Sequence, residues 1–245
     1  MGKWRKFLYG FLLVNGFWLL FSWWMDRTIL PSPLAVYANL LHLFTRQQMF
    51  RHIGHSLWRI FASLGISTLL GLFLGLLMAQ SRFWNKLIDP FIYFTYPIPK
   101  ISLLPAVMLL FGMGDGSKII MIVLIVSFQI IINVRDSIRN IPKESYHILL
   151  CLGAGKWRLF WEVTLPAALS SVLSSIRVAL GTTMSILFFT ENYGTRFGMG
   201  FFIMDSWMRI NYVQMYGGIV VLSAVGFLMF TGLDLLEERF LKWRD

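Results

Sequence analysis

Long apolar runs separated by short polar and basic stretches predict a bundle of membrane-crossing helices. A helix crosses about 30 Å of hydrocarbon with about 20 apolar residues. Residues 7–24 form the first such run, uncharged throughout. The stretch from Arg27 to Arg59 is more polar, holds Pro31-Ser-Pro33, and reads as a loop leading into a short surface helix. Residues 60–81 make the second run, bounded by Arg59 and Arg82. Its Gly71 and Gly75 lie four residues apart, a small face on which another helix can approach closely. The third run, 87–111, is interrupted by Pro90, Pro97, Pro99 and Pro105, each of which removes a backbone donor and bends or breaks a helix. Gly112-Met-Gly-Asp-Gly116 then predicts a turn. Residues 119–134, 167–190 and 210–233 complete six predicted spans, and 135–166 is a polar, basic loop between the fourth and fifth.

Composition agrees with lipid as the main solvent. The chain has 245 residues, 57% apolar and 14% charged, against about 25% charged in soluble domains. The fold class is therefore all-α and polytopic. The apolar start after Met1-Gly-Lys-Trp-Arg-Lys6 resembles a signal peptide, but it is long and ends in Trp23-Trp24-Met25-Asp26-Arg27 without a small-residue cleavage site. It reads as a retained first helix. The net charge of +10 does not point to nucleic acid, because the basic residues sit at the ends of apolar runs and not in an aromatic-lined stripe. With six spans both termini share one side. That side carries Lys3, Arg5, Lys6, Arg82, Lys86, Arg135, Arg139, Lys143, Lys156, Arg158, Arg239, Lys242 and Arg244, or 13 of the 22 basic residues, which predicts that both termini are cytoplasmic. Cys151 is the single cysteine, so no internal disulfide forms.

The chain lacks the usual catalytic signatures. Gly153-Ala-Gly-Lys156 is followed by Trp157, so it is not the phosphate loop G-x-x-x-x-G-K-[ST]. Neither a G-x-S-x-G elbow nor an H-E-x-x-H pair occurs. His52 and His55 have no neighbouring thiolate or carboxylate and read as interfacial polar residues, not metal ligands. An enzyme is the weaker class, and no bound cofactor or metal is predicted.

The loop is the most informative stretch. Ile141-Pro-Lys-Glu-Ser-Tyr-His147 opens a short helix, over about 143–152, that Gly153 stops; a second, over about 156–163, is expected to stop at Pro166. Trp157, Phe160 and Trp161 stand beside Lys156 and Arg158. Such a helix pair between two spans would make a rigid lever for a partner to push. The segment resembles the cytoplasmic loop of binding-protein-dependent ABC importer permeases, whose pattern is E-A-A-x-x-x-G and, further on, I-x-L-P. Gly153, Leu165 and Pro166 fall in register, Val163 takes the isoleucine position, and Pro142-Lys-Glu144 resembles the lead-in. The E-A-A itself is replaced by His147-Ile148-Leu149. Ser56-Leu-Trp-Arg59, Tyr96-Pro-Ile-Pro-Lys-Ile-Ser-Leu-Leu-Pro105, Phe111-Gly-Met-Gly114, Glu191, Phe197-Gly-Met-Gly200 and Leu30-Pro-Ser-Pro33 extend the likeness, which is to the nitrate, sulfonate and taurine branch.

The resemblance implies a permease subunit that moves a small anionic solute by alternating access. It implies two separate ATPase subunits that bind MgATP, a second permease copy or a paralogue, an extracytoplasmic substrate-binding protein, and residence in a bacterial inner membrane. It makes Glu144, His147, Gly153, Ala154, Lys156, Trp157, Arg158, Leu165 and Pro166 candidates for docking on the ATPase. Lys100 and Arg177 are cations inside apolar runs, a placement that is functional by default. With Pro97, Pro99 and Glu191 they are the candidates for the translocation path, although snorkelling or pairing with a carboxylate such as Asp89 or Glu191 would also account for them. The rival class is a channel or scaffold whose loop binds some other partner.

Overall fold

The computed structural model describes the backbone of residues 3–240 and the side chains of Arg5 and residues 8–239. Lys242 and Arg244, and the side chains of Lys3 and Lys6, which enter the charge asymmetry above, lie outside the described residues. The described chain is helical and contains no strand. In order the helices are α1 (Lys3–Trp24), α2 (Pro33–Arg46), α3 (Met49–Gln80), α4 (Arg82–Thr95), α5 (Leu104–Phe111), α6 (Asp115–Arg139), α7 (Lys143–Cys151), α8 (Lys156–Leu159), α9 (Leu165–Glu191), α10 (Met199–Met208) and α11 (Tyr212–Phe240). Four helical stretches are long and apolar enough to cross a membrane: α3, α6, residues 156–191, and α11. A bent pair, Arg82–Thr95 with Lys100–Phe111, makes up to a fifth. Within α1 the apolar helix Leu8–Trp24 is shorter.

The chain forms two compact units, residues 1–56 with 195–225 and residues 57–194 with 226–245. In the first unit, Ser32 caps α2 by accepting from the Ala35 N–H, with Pro33 in the first turn where its missing donor is harmless. Leu43, Met49, Met199, Phe202 and Val221 form its core. His52 and Ser56, one turn apart on α3, meet the start of α10. Ser56 Oγ accepts from the Met199 N–H at 2.8 Å, and the Gly198 N–H lies 3.2 Å from His52 Nδ1. His52 also stacks on Phe201 and His55 on Phe197. These two histidines are therefore packing and capping groups, and no metal-holding cluster occurs among the described residues.

The second unit is built on α6 packed against α9, with α3 on its flank. Its core includes Ile60, Leu64, Ile122, Val126, Ile130, Val134, Val172, Ala179, Leu180 and Leu187. The small face of α3 does what its spacing predicts. A Cβ on Gly71 would collide with Ile130, and one on Gly75 would stand 2.7 Å from Val134 Cβ and 3.1 Å from the Ile131 carbonyl. Dispersion between closely approaching helices replaces the hydrophobic drive that lipid cannot supply.

Several boundaries differ from those the pattern predicts. α3 begins at Met49, not residue 60: Arg51, His52 and Arg59 interrupt the hydropathy run without interrupting the helix. α6 likewise extends beyond 119–134 at both ends. The third run is not one straight span, because Pro97 and Pro99 break it and its halves meet at 84°. Pro90 is carried inside α4, and Pro105 sits harmlessly in the first turn of α5. The short helix α10 has no counterpart in the sequence reading. Finally, the helix starting at Lys156 does not stop at Pro166. It passes through a π turn, Phe160–Thr164, directly into α9. There the Leu165 N–H donates to the Phe160 carbonyl five residues back. This widened turn comes just where the proline ring would otherwise strain the α-helical ladder.

The α3–α6 contact gives a direct test. Gly75→Ala should lower the thermal midpoint of the purified protein, with an overpacking cost of about 1–3 kcal/mol. Gly65→Ala, whose Cβ meets nothing within 4 Å, should leave the midpoint unchanged or raise it slightly. Equal effects of the two would show that α3 does not pack on α6 through this face.

Candidate functional site

Three features could carry function: the loop between α6 and α9, the break between α4 and α5, and a buried group of charges.

In the loop, α7 is held by Glu144 in its first turn, where a carboxylate complements the helix dipole. It ends at Cys151, and Gly153 takes φ +78°, a left-handed conformation costly for other residues. The Gly153 N–H donates to the Leu150 carbonyl at 2.9 Å and the Ala154 N–H to the Leu149 carbonyl at 3.0 Å, which closes the helix end. α7 has no buried residue, and Ala154 is the buried point of the turn. Tyr146 and Thr164 join their hydroxyls at 3.1 Å, tying α7 to the π turn that starts the next span. Lys156 and Arg158 are exposed, and Arg158 pairs with Glu162 at 2.7 Å. Trp157 is 73% exposed and packs edge-on against Trp161. The candidates Glu144, His147, Gly153, Ala154, Lys156, Trp157 and Arg158 thus share one short, mostly exposed loop. Leu165 and Pro166 instead belong to the membrane helix that the loop feeds.

At the break, Pro97 and Pro99 leave a turn from which Lys100 reaches back. Lys100 Nζ donates to the Thr95 carbonyl at 3.2 Å and lies over the rings of Phe128 and Tyr96, at 4.7 and 5.5 Å from their centroids. These contacts compensate a cation in apolar surroundings. Beside the break lies a groove of about 550 Å³, lined by Ile101, Ser102, Pro105, Met108, Met113, Phe189 and Tyr193 among others.

The other two path candidates lie elsewhere. Arg177 is paired with Asp234 and with Glu237, the latter at 2.7 Å. Asp89 pairs instead with Arg135. Glu191 has no exposed surface and accepts from Arg59 Nη1 at 2.5 Å. It is 14 residues from Arg177 along α9, about 21 Å at 1.5 Å per residue. The five candidates are therefore not one site.

The charge group around Glu191 also includes Arg59, Asp115 and Lys118, none of them a site candidate from the sequence. Arg59, 2% exposed, donates from Nε and Nη2 to Asp115 Oδ1 at 3.0 and 2.7 Å. Lys118, fully buried, donates to the carbonyls of Met113 and Gly114 at 2.7 and 3.1 Å. Two cations and two carboxylates balance. The available signal was that Arg59, Asp115, Lys118 and Glu191 all stand at ends of apolar runs, where a buried charge needs an opposite one.

Comparison with known proteins identifies the family. Residues 68–242 match the family of binding-protein-dependent transport system inner membrane components. The taurine transport system permease protein TauC of Escherichia coli (strain K12) is 28% identical over 237 residues, covering 92% of this chain and 86% of that protein. The bicarbonate transport system permease protein CmpB of Synechococcus elongatus is 28% identical over 261 residues, covering 98% and 90%. Among solved structures, an inward-facing MetNI methionine ABC transporter chain superposes with a TM-score of 0.69 at 19% identity, over 80% of this chain and 97% of that one, a likeness of fold. The chain belongs to the family of binding-protein-dependent transport system inner membrane components, and it is a transport permease subunit of an ABC importer, not an enzyme.

Proposed function

We propose that this permease couples to two ATPase subunits through the loop 143–166 and works with a second permease copy or a paralogue and an extracytoplasmic binding protein. One observation carries the reading: α7 is exposed, is turned by Gly153, and is joined through Tyr146 and the π turn to a helix that runs to Glu191. A push on α7 would therefore be delivered to a membrane span without a flexible joint. The ATPase subunits would bind MgATP and close, and the spans would alternate between access to either side. Six crossings, with α1 as the first and the bent α4–α5 pair as the third, would leave both termini and the loop on one side, the cytoplasmic one in this reading. The basic residues Arg135, Arg139, Lys143, Lys156 and Arg158 near the loop favour that orientation.

For the path, Pro97, Pro99 and Lys100 are the favoured candidates. Irregular backbone at membrane depth is tolerated where it faces a cavity, and the groove of about 550 Å³ adjoins this break. Arg177 and Glu191, already ion-paired, are read as structural. The solute class we infer is a small anion, since taurine and bicarbonate, named for TauC and CmpB, each carry an anionic group.

The purified chain should hydrolyse no ATP alone, and its cognate ATPase should restore turnover; robust hydrolysis by the chain itself would overturn the reading. Gly153→Val probes the lever. Its Cβ would meet no atom within 4 Å, so the cost is backbone strain of about 1–2 kcal/mol, small for the whole fold. Insertion and assembly should remain, while solute-stimulated ATP hydrolysis and transport fall together. Normal coupled transport in that variant would remove the loop from the coupling role.

Arg177 offers a separate test. Arg177→Gln should lower the thermal midpoint by a few degrees, and Asp234→Asn with Glu237→Gln in the same chain should recover it, with transport retained. Transport lost at full assembly and unchanged midpoint would return Arg177 to the path.

A further inference from the structure

The group around Arg59 has a placement that the permease assignment does not explain. It joins three chain segments at one end of the second unit: α3 through Arg59, the start of α6 through Asp115 and Lys118, and the end of α9 through Glu191. Gly194, just beyond α9, takes φ +62°, and a Cβ there would stand 2.6 Å from Met113 Cβ. Lys118 holds the carbonyl of that same Met113. The turn before α6 and the turn after α9 are therefore fastened to each other as well as to α3.

The other ends of α6 and α9, at Arg139 and Leu165, carry the loop. With 25 and 27 residues, the two helices separate the loop from this joint by about 40 Å. Apolar contacts along two helices resist separation but hold their register weakly in lipid, where no hydrophobic drive acts between them. A charged fork with fixed directions, its guanidinium and one of its carboxylates shielded from water, does hold register.

We propose that Arg59 is a positioning residue that clamps α3, α6 and α9 into one lever arm, so that displacement at the loop reaches the far ends without slippage. The inference rests on the coupling role proposed for the loop. Arg59 uses both edges of its guanidinium, Nη1 toward Glu191 and Nε with Nη2 toward Asp115. Lysine, whose three donors all radiate from one nitrogen, cannot reproduce that planar fork. Glutamine at 191 keeps an acceptor oxygen but removes the charge.

Spin labels at Gly116→Cys and Tyr193→Cys, both exposed, on a Cys151→Ser background report the distance across the clamp. The assembled complex with its cognate ATPase subunits is measured in nanodiscs without nucleotide and after trapping with ATP and vanadate. The parent should give one narrow distance in both states. Glu191→Gln, and independently Arg59→Lys, should match the parent without nucleotide. After trapping they should shift or split by about 5 Å, one helical turn, with ATP hydrolysis by the complex within about twofold of the parent. Distributions like the parent's in both states would overturn the clamp. So would broadening already present without nucleotide, or failure of both variants to assemble, since either makes the group a folding determinant only. A parent complex whose loop shows no nucleotide-dependent movement, read from a label at Cys151, would instead overturn the coupling role, and the clamp with it.

Discussion

A guanidinium enclosed in an apolar helical unit is the constraint around which the second unit is organised. Arg59 cannot keep its charge there without partners, because burying an unpaired ion costs several kcal/mol. Asp115 and Glu191 meet that demand, and in doing so they fix where α6 begins and where α9 ends. Deleting the fully buried Glu191 side chain would leave a cation uncompensated, with a cost of about 3–5 kcal/mol in comparable cases, whereas glutamine there keeps an acceptor for Arg59. Asp115 is 39% exposed, so its share is the smaller. Lys118 spends its donors on the carbonyls of the preceding turn, so it needs no carboxylate in direct contact.

Among the described residues, the charged side chains buried in this unit are Arg59, Lys118 and Glu191, all at that end, while its other ion pairs stand nearer the surface. Tight packing at Gly71 and Gly75 brings α3 onto α6. Large residues such as Tyr93, Leu109 and Leu110 project outward, as side chains do when lipid is the solvent. The same separation of roles explains the loop. Its exposed aromatic and basic residues make few contacts within the chain, while Tyr146 and the π turn connect it to α9. Stiffness lies in the helices, and Gly153 and the Pro97–Pro99 break sit where direction changes.

The long apolar runs made the helical fold legible, since the length of a run reports on the lipid thickness it must match. Gly153 was legible because a helix stop before a second helix demands left-handed backbone, and Gly71 and Gly75 because small residues one turn apart mark a contact face. What stayed hidden depends on partners far apart in sequence. Arg59 and Glu191 are 132 residues apart, and no local pattern pairs them. Pro166 reads locally as a stop, yet a π turn absorbs it. The first turns of α3 look like loop because hydropathy registers the polar Arg51, His52 and Arg59, whereas the helix tolerates them. Among the path candidates, Arg177 has its compensating carboxylates on α11, another pairing invisible to a linear reading.

In the proposed coupling, force enters at α7 and the Arg59 end is its far terminus. Cross-linking from defined positions tests this most directly. A short bifunctional reagent attached to native Cys151, which is exposed on α7, should capture the ATPase subunit in the assembled complex. The same reagent at Tyr193→Cys, in a chain carrying Cys151→Ser, should not. Capture of the ATPase from position 193 but not from Cys151 would contradict the account.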